Sequence, residues 1–411
     1  MSVTAHAPIP TERDERWHYA PLDEINARME RSVAPCGDVP TSVTPMLIDA
    51  MVGATGARLV FVNGMNTAEL SDCHQLPAGV RCDVSNTSGG GGPPVATVTV
   101  DDGVRFEEPL RVVHVAVPDA DEVKSLLSRA RTIIELGTDA HAVVVETFGG
   151  LDGSRASTMT ESSTTIRLGD RAELAYYRIQ IEALDATHVG HTLIDQGADS
   201  SVRMTSVTLG GDIARNAIHV HLDGPGARAD LAGIAVTGGH QRHDTVVTID
   251  HAASRCTSNQ RFNGVVDDHG RGAFSGEIVV QPGTTGTDAH QSSRNLVLDP
   301  NAEADSRPWL RILADDVRCT HGATVGRLDD DALHYLRSRG IPLVAARAML
   351  IDAFLRDVTD SITHEAVRAH VAALVASAAS EASEASEASE ASEASGASTR
   401  ATHPAGPVEH P

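Results

Sequence analysis

Ser206-Val-Thr-Leu209, Ala217-Ile-His-Val-His-Leu222, Asp230-Leu-Ala-Gly-Ile-Ala-Val236 and Thr245-Val-Val-Thr-Ile249 are four short β-branched runs set close together. Each is bounded by Gly, Asp or Asn, and no helix-length period interrupts them, so all four read as strands. The same texture extends outward through Thr132–Leu136 and Ala142–Thr147 on one side. On the other it continues through Gly276–Val280, Asn295–Leu298 and Trp309–Leu313. Where the runs are densest they recur every ten to fifteen residues or so, which suits a sandwich, a barrel or a β-helix. The β-helix is favoured. The strand region is long for one sandwich, the strands read as only about four to six residues, and small turn residues recur as at a solenoid's corners.

The flanks read differently. The first twenty or so residues are polar and Pro-containing, which predicts a mobile start. Leu22, Ile25 and Met29 fall on one helical face, and Thr44-Pro45 to Gly53 carries a helix start and stop. Ala57–Asn63 reads as a strand that turns at Asn63-Gly64, and Ser88–Pro94 as a flexible loop. Residues 1–105 are therefore expected to form a small α+β or helical N-terminal domain, and 106–325 the β-helix core. After Gly326 the pattern turns helical. Asp329–Asp331 place negative charge on a first turn and Gly340 closes that helix. Pro342 opens a second helix with an apolar stripe of Leu343, Ala346, Leu350, Phe354, Val358 and Ile362, and a third covers about Glu365–Ala378. Residues 326–378 form this helical domain. The Ser-Glu-Ala repeat and remaining tail, 379–411, lack an apolar face and are expected to be disordered or a frayed helix.

A formal net charge of −23 excludes a phosphate-backbone partner, because nucleic-acid binders show a basic stripe. Of the 33 basic residues only Lys124 is lysine. The five cysteines, Cys36, Cys73, Cys82, Cys256 and Cys319, are scattered, odd in number and without a CxxC pair. That argues for a reducing compartment and against a disulfide framework. No secretory leader and no apolar run long enough to span a membrane is read, so the expectation is cytoplasmic. Aromatic residues make up 3% of the chain, few for a sugar-binding cleft.

No P-loop, nucleophile elbow or HExxH occurs, so nothing marks the chain as an enzyme; Gly272-Ala-Phe-Ser-Gly276 has the wrong spacing for the elbow. His219-x-His221, His240-x-x-His243 and Cys256 read as ordinary strand, turn or core residues. Asp267-Asp268 beside Arg271 would suit a carbohydrate-active β-helix enzyme, a lyase or hydrolase, were both acids to reach one substrate. Neighbouring strand residues point to opposite faces, so a solvated turn is the expected reading. Cys319-Thr-His321 is the most informative constellation. Positions i and i+2 share a strand face, so a thiolate and an imidazole there could hold one iron or zinc ion. Two donors do not close a site, and further ligands must come from elsewhere in the fold or from a partner. The alternative is a purely structural pair.

Several strings carry a resemblance: Phe61-Val-Asn-Gly64 with Glu69-Leu-Ser-Asp72, Gln260-Arg-Phe-x-Gly264, Arg271-Gly-x-Phe-Ser-Gly276, Ala302-Glu-Ala-Asp-Ser-Arg-Pro308, and above all Asp315-Asp-Val-Arg-Cys-Thr-His-Gly-Ala-Thr-Val-Gly326 followed by Leu336-Arg-Ser-Arg-Gly-Ile341. Spanning roughly residues 57 to 360, they resemble the SufB/SufD family of iron–sulfur cluster assembly scaffolds, on its SufD side. SufB-type chains resemble Cys-Gly-Ala-His-Thr-x-Pro where this chain has Ala302–Pro308. They also carry Glu-His-Glu where this chain has Thr320-His321-Gly322, so its cysteine and both acids are missing. The resemblance implies a mainly β fold, a right-handed parallel β-helix with helical domains at either end. It implies a SufB paralogue as partner, a SufC ABC-type ATPase docked on the helices from Pro342 to about Ala378, and indirectly a cysteine desulfurase. It makes His321, with Cys319 beside it, the candidate ligand for transient iron or a nascent iron–sulfur cluster shared across the SufB–SufD interface. Two departures stand out: Asn263, where the family commonly has Lys, and the Ser-Glu-Ala tail.

Overall fold

The structure, a computed structural model, describes residues 9–10, 15–34, 39–53, 56–74, 76–85, 93–118, 125–151 and 157–400, and side chains only as far as 384. Most of the Gly-rich loop expected at 88–94 lies outside the described residues, as do 401–411. Two helices open the chain, α1 (Leu22–Arg31) and α2 (Pro45–Val52), the second capped by the Thr44 hydroxyl. Strands β1 (Arg58–Val62) and β2 (Met65–Asn66) form the hairpin expected at Asn63-Gly64, and β3 (Val80–Ser85) pairs antiparallel with β4 (Val95–Val100). From there every strand pairing is parallel. The odd strands are β5 (Arg105–Ala116), β7 (His141–Gly150), β9 (Glu173–Ile181), β11 (Ser201–Thr208), β13 (Arg228–Thr237), β15 (Thr257–Val266), β17 (Thr287–Val297) and β19 (Val317–Gly326). The even strands are β6 (Leu126–Leu136), β8 (Thr158–Leu168), β10 (Thr187–Gln196), β12 (Ile213–Leu222), β14 (Arg242–His251), β16 (Arg271–Val280) and β18 (Glu303–Ile312). Odd strands build a ten-stranded sheet I that also holds β1 and β2. Even strands build a nine-stranded sheet II with β4 and β3, so the chain winds a parallel β-solenoid of about seven turns.

Successive strands are eight to twelve residues long, longer than the apolar runs suggested. The reason lies in what faces inward. Half of each strand's inner face is apolar and half is Thr, Ser, Gln, His or charged, so a β-branched run marks only part of its strand. The apolar half forms one cluster along the axis, from Leu59, Val98 and Leu110 through Tyr176, Ile194 and Met204 to Phe262 and Phe274. One corner of the solenoid is a column of left-handed residues, Asp139, Arg171, Asp199, Gly226, Arg255 and Gly286, recurring every 27 to 32 residues with φ between 55° and 77°. Each donates its backbone N–H to a carbonyl of the next turn, from Asp139 N to Asp170 O up to Gly286 N to Asp316 O. That ladder satisfies backbone groups that a free corner would leave to water.

Helices cover both sheets. Ile25 of α1 packs with Leu127, Met159, Val189 and Ile213 on sheet II, and Arg28 bridges Asp212 and Glu24. The expected mobile start is tied down where it is described. Residues 15–17 form a 3-10 turn, and the Arg215 guanidinium lies 4.1 Å over the Trp17 ring. At the other end, α3 (Asp330–Ser338) is capped by Asp329 and followed by α4 (Leu343–Thr359) and α5 (Glu365–Arg400). The buried face of α4 is Ala346, Ile351, Leu355 and Val358, rotated from the expected stripe: Leu343, Leu350 and Phe354 are only half-buried. With Val367, Val371 and Val375 of α5, this face packs on Val145, Tyr177, Ile179, Ile234 and Val265 of sheet I. Past 379 the described residues are helical. Helix α5 runs on without a break, Ala379 and Ala382 are buried, and the Ser383 hydroxyl donates to Val344 O. Alanines and one serine suffice because α4 lies close enough for small side chains to fill the gap. No helix among the described residues is long and apolar enough to cross a membrane.

Candidate functional site at the open end of the solenoid

Strand β19 is the last of sheet I and β18 the last of sheet II, and no described strand pairs beyond either. Cys319 and His321 lie on β19 with Ala289 and Gln291 of β17 as their register partners. Cys319 packs against Ile278, Val280 and Ala289, which places it on the inner face, and His321 at i+2 shares that face. Cys319 is half-buried and its thiol is pushed up by burial, with Asp288 adding to the shift. A metal ion would therefore displace a proton from it. His321 is exposed and has no side-chain partner among the described residues. No group of three His, Cys, Asp or Glu that could hold a metal ion occurs among the described residues, so the pair stays two donors short of a closed site. A soft thiolate and an imidazole suit iron, zinc or an iron–sulfur cluster.

Beneath His321 runs a column the sequence reading missed. Gln260, Gln291 and His321 occupy matched positions on β15, β17 and β19. Gln291 Nε2 donates to Gly276 O across the lumen, 3.3 Å away, and a Cβ on Gly276 would come within 2.1 Å of that nitrogen. Gln291 Oε1 is left buried without a partner. Period-two alternation counted back from His321 would have found Gln291, given the register between turns.

The other singled-out residues separate. Asp267 is 0% exposed, not solvated, and its carboxyl rises to about 6 because of burial, with Asp299 and Asp268 adding to it. Asp268 sits at φ 54°, and Arg271 turns outward to lie 3.4 Å from Glu303. These three do not face one substrate. The His219 and His221 rings lie 4.1 Å apart, tilted by 31°, on the outer face of sheet II, His243 is buried against Thr237 and Gly211 O, and Cys256 is buried as expected.

The most heavily charged interior lies several turns away. Glu146, Arg178, Glu182 and His188 are all buried. His188 Nδ1 is 2.6 Å from Glu182 Oε2, its Nε2 is 2.5 Å from Arg178 Nη2 and 3.0 Å from Ser162 Oγ. The serine–histidine–glutamate order looks hydrolytic, but Arg178 occupies the nitrogen that would have to accept the serine proton. Gly190 leaves the room, since a Cβ there would come within 2.4 Å of Arg178 Nη2 and 2.9 Å of Ser162 Oγ. Burial alone would raise the Glu146 carboxyl. His114, 3.5 Å away, with Thr132 and Tyr176, instead brings it down to about 2. The cluster is a buried structural network in which Arg178 Nη1 and His114 Nδ1 stay without a hydrogen-bond partner.

A family model described as SUF system FeS cluster assembly, SufBD core domain, matches residues 119–354, from just before β6 into α4 and so including β19. The iron–sulfur cluster assembly protein SufD of Escherichia coli is 30% identical over 383 residues, 89% of this chain and 88% of that protein. An iron–sulfur cluster assembly SufBD family protein of Synechocystis is 27% identical over 400 residues, 90% and 87% of the two chains. The chloroplastic protein ABCI7 of Arabidopsis thaliana is 29% identical over 286 residues, 68% of this chain and 60% of that one. With more than half its length matched by the family model and 89% of it aligned to a SufD at 30% identity, this chain belongs to the SufBD family of iron–sulfur cluster assembly proteins.

Proposed function

We propose that this chain is a SufD-type scaffold subunit, cytoplasmic and without catalytic chemistry of its own. It pairs with a SufB-type paralogue through the free edges of β18 and β19 and carries a SufC-type ATPase on its C-terminal helices. One observation carries the reading: Cys319 and His321 lie two positions apart on a terminal strand that pairs with β17 on one side and with no described strand on the other. A partner meeting that edge would bring its own donors to a site that is here incomplete. Iron or a nascent cluster, with sulfur supplied through a cysteine desulfurase, is the cargo, and His321 is its principal ligand on this side.

The helices argue for mechanical coupling. Only residues 327–329 separate β19 from α3, so a displacement of α3 acts on the strand that holds the ligands. On the helices expected to receive the ATPase, the face of Ile351, Leu355 and Val358 is occupied by the chain's own sheet I. Its docking surface is therefore the outward side of α3 and α4, where Tyr335 is 57% and Met349 49% exposed.

The deciding test is mild affinity purification of the chain with its partners, followed by iron and cluster quantification in His321→Ala. The expected result is an intact complex with cluster loading abolished. Normal loading removes His321 from the mechanism, and purification of the chain alone removes the scaffold. A second reading has its own support, since Cys319 packs among Ile278, Val280 and Ala289: there Cys319 is a packing residue and His321 acts alone. Cys319→Ala with full loading would select it.

A further inference from the structure

A cavity of about 560 Å³ lies on the outer face of sheet I, between its strands β5 to β13 and the turn that joins α4 to α5. Its floor is laid down in register. His141, Glu173, Ser201 and Arg228 form one row across β7, β9, β11 and β13, and Val143, Ala175 and Arg203 form the next row. Val143 and Ala175 give the floor an apolar patch, and Thr363 and His364 form the roof. Roof and floor are joined. Thr363 Oγ1 lies 3.1 Å from the Tyr177 hydroxyl, which accepts from His364 N at 3.4 Å.

Most of the charge around this cavity is already matched. His141 lies 3.0 Å from Glu107 and 3.3 Å from Glu173, and Arg105 is 3.5 Å from Glu173. Arg171 donates two 2.7 Å hydrogen bonds to Asp139, and Asp199 adds to the field on it. Arg203 and Arg228 are different. Neither guanidinium has a hydrogen bond or ion pair among the described residues, and Asp230, the register partner of Arg203, makes no ion pair with it. The two arginines are diagonal neighbours on adjacent strands, their Cα atoms roughly 8 Å apart from strand spacing and rise. Both forks can therefore reach one anion, with the Ser201 hydroxyl beside them. His364 Nδ1 accepts from Val367 N, which leaves Nε2 as a donor on the roof.

We infer that this cavity binds a small organic phosphate monoester, its phosphoryl group held by Arg203, Arg228 and Ser201 and its body lying on Val143 and Ala175. A bare inorganic anion would leave most of the volume to water and the apolar patch without a contact. A carboxylate presents two oxygens and a phosphoryl group three, so two guanidinium forks with a hydroxyl suit the latter.

The test is calorimetric titration of the full chain with phenyl phosphate at physiological ionic strength, where screening limits repulsion by the chain's net charge of −23. Inorganic phosphate and benzoate are the comparison anions. The expected result is one site that takes phenyl phosphate at least tenfold more tightly than either. Arg203→Ala and Arg228→Ala should each weaken binding at least tenfold without moving the urea midpoint, since both side chains are exposed. Arg81→Ala, on β3 of sheet II, should bind as the wild type does. Equal affinity for inorganic phosphate would mean an adventitious ion only. That result, equal affinity for benzoate, no saturable binding, or an Arg203 or Arg228 variant that binds undiminished overturns the proposal.

Discussion

The solenoid holds histidines at two inner-face positions that differ in almost everything but residue type. His188 sits among Glu182, Arg178 and Ser162 with both ring nitrogens engaged and no exposure. His321 sits at the last turn, exposed, beside a half-buried thiol and without a side-chain partner among the described residues. The contrast shows how one repeating architecture separates stability from function. An interior turn is covered by strands on both sides, so every polar group must find its partner within the chain or cost free energy. A terminal turn lacks that cover, and its inward-facing donors remain available to a metal ion or a partner.

The sharpest way to break this contrast is to cut one residue at each end. Arg178→Ala leaves Glu146 and Glu182 buried with less compensating charge, and should destabilise the chain by about 3–5 kcal/mol or prevent folding. His321→Ala should shift denaturant-unfolding stability by no more than about 0.5 kcal/mol. Similar costs at both positions would show that the open end is as structural as the sealed one.

Acid unfolding sharpens it further. His243 and His251 are held down to about 4 by burial, against roughly 6.5 in an unfolded chain. The unfolded state therefore binds more protons between those values, and stability falls as pH drops from about 6.5 to 4, on the order of 1 kcal/mol per pH unit for each histidine. Asp267 works the other way. Its carboxyl is raised to about 6, so its penalty grows as pH rises from about 4 to 6 and is complete above that. Urea midpoints at pH 7, 5.5 and 4.5 should fall progressively, and a flat series would mean these histidines are hydrated. Asp267→Asn should raise stability at pH 7.5 by about 1 kcal/mol and leave it nearly unchanged at pH 4. The smallest effect is expected at Cys319→Ala, about 1 kcal/mol or less, because only part of that side chain packs.

What could be read before folding, and what could not, divides along the same line. The four runs between Ser206 and Ile249 announced a solenoid, and the Asp329 cap, Gly340 stop and Asn63-Gly64 turn were legible because each depends on neighbours within a few residues. Cys319 and His321 were legible for the same reason, being two positions apart on one strand. The inward polar residues were not. Nothing local marks Glu146 and Arg178 as interior, and only the parallel register that sets one against the other, with Gly190 giving Arg178 room, makes them core. The left-handed corner hid as well, because its column is Asp, Arg, Asp, Gly, Arg, Gly and shares a conformation rather than a residue type.

Local chemistry in this chain thus decided strand, turn and cap, and placed a thiol and an imidazole on one face. Only the stacking of turns decided which charges are buried, which helix face is occupied by the chain's own sheet, and that the Cys319–His321 face lies at an end with no described strand beyond it. The physical reason is distance along the chain. Each turn rests on residues some thirty positions away, so burial and pairing here are properties of the register between turns, which no local pattern contains.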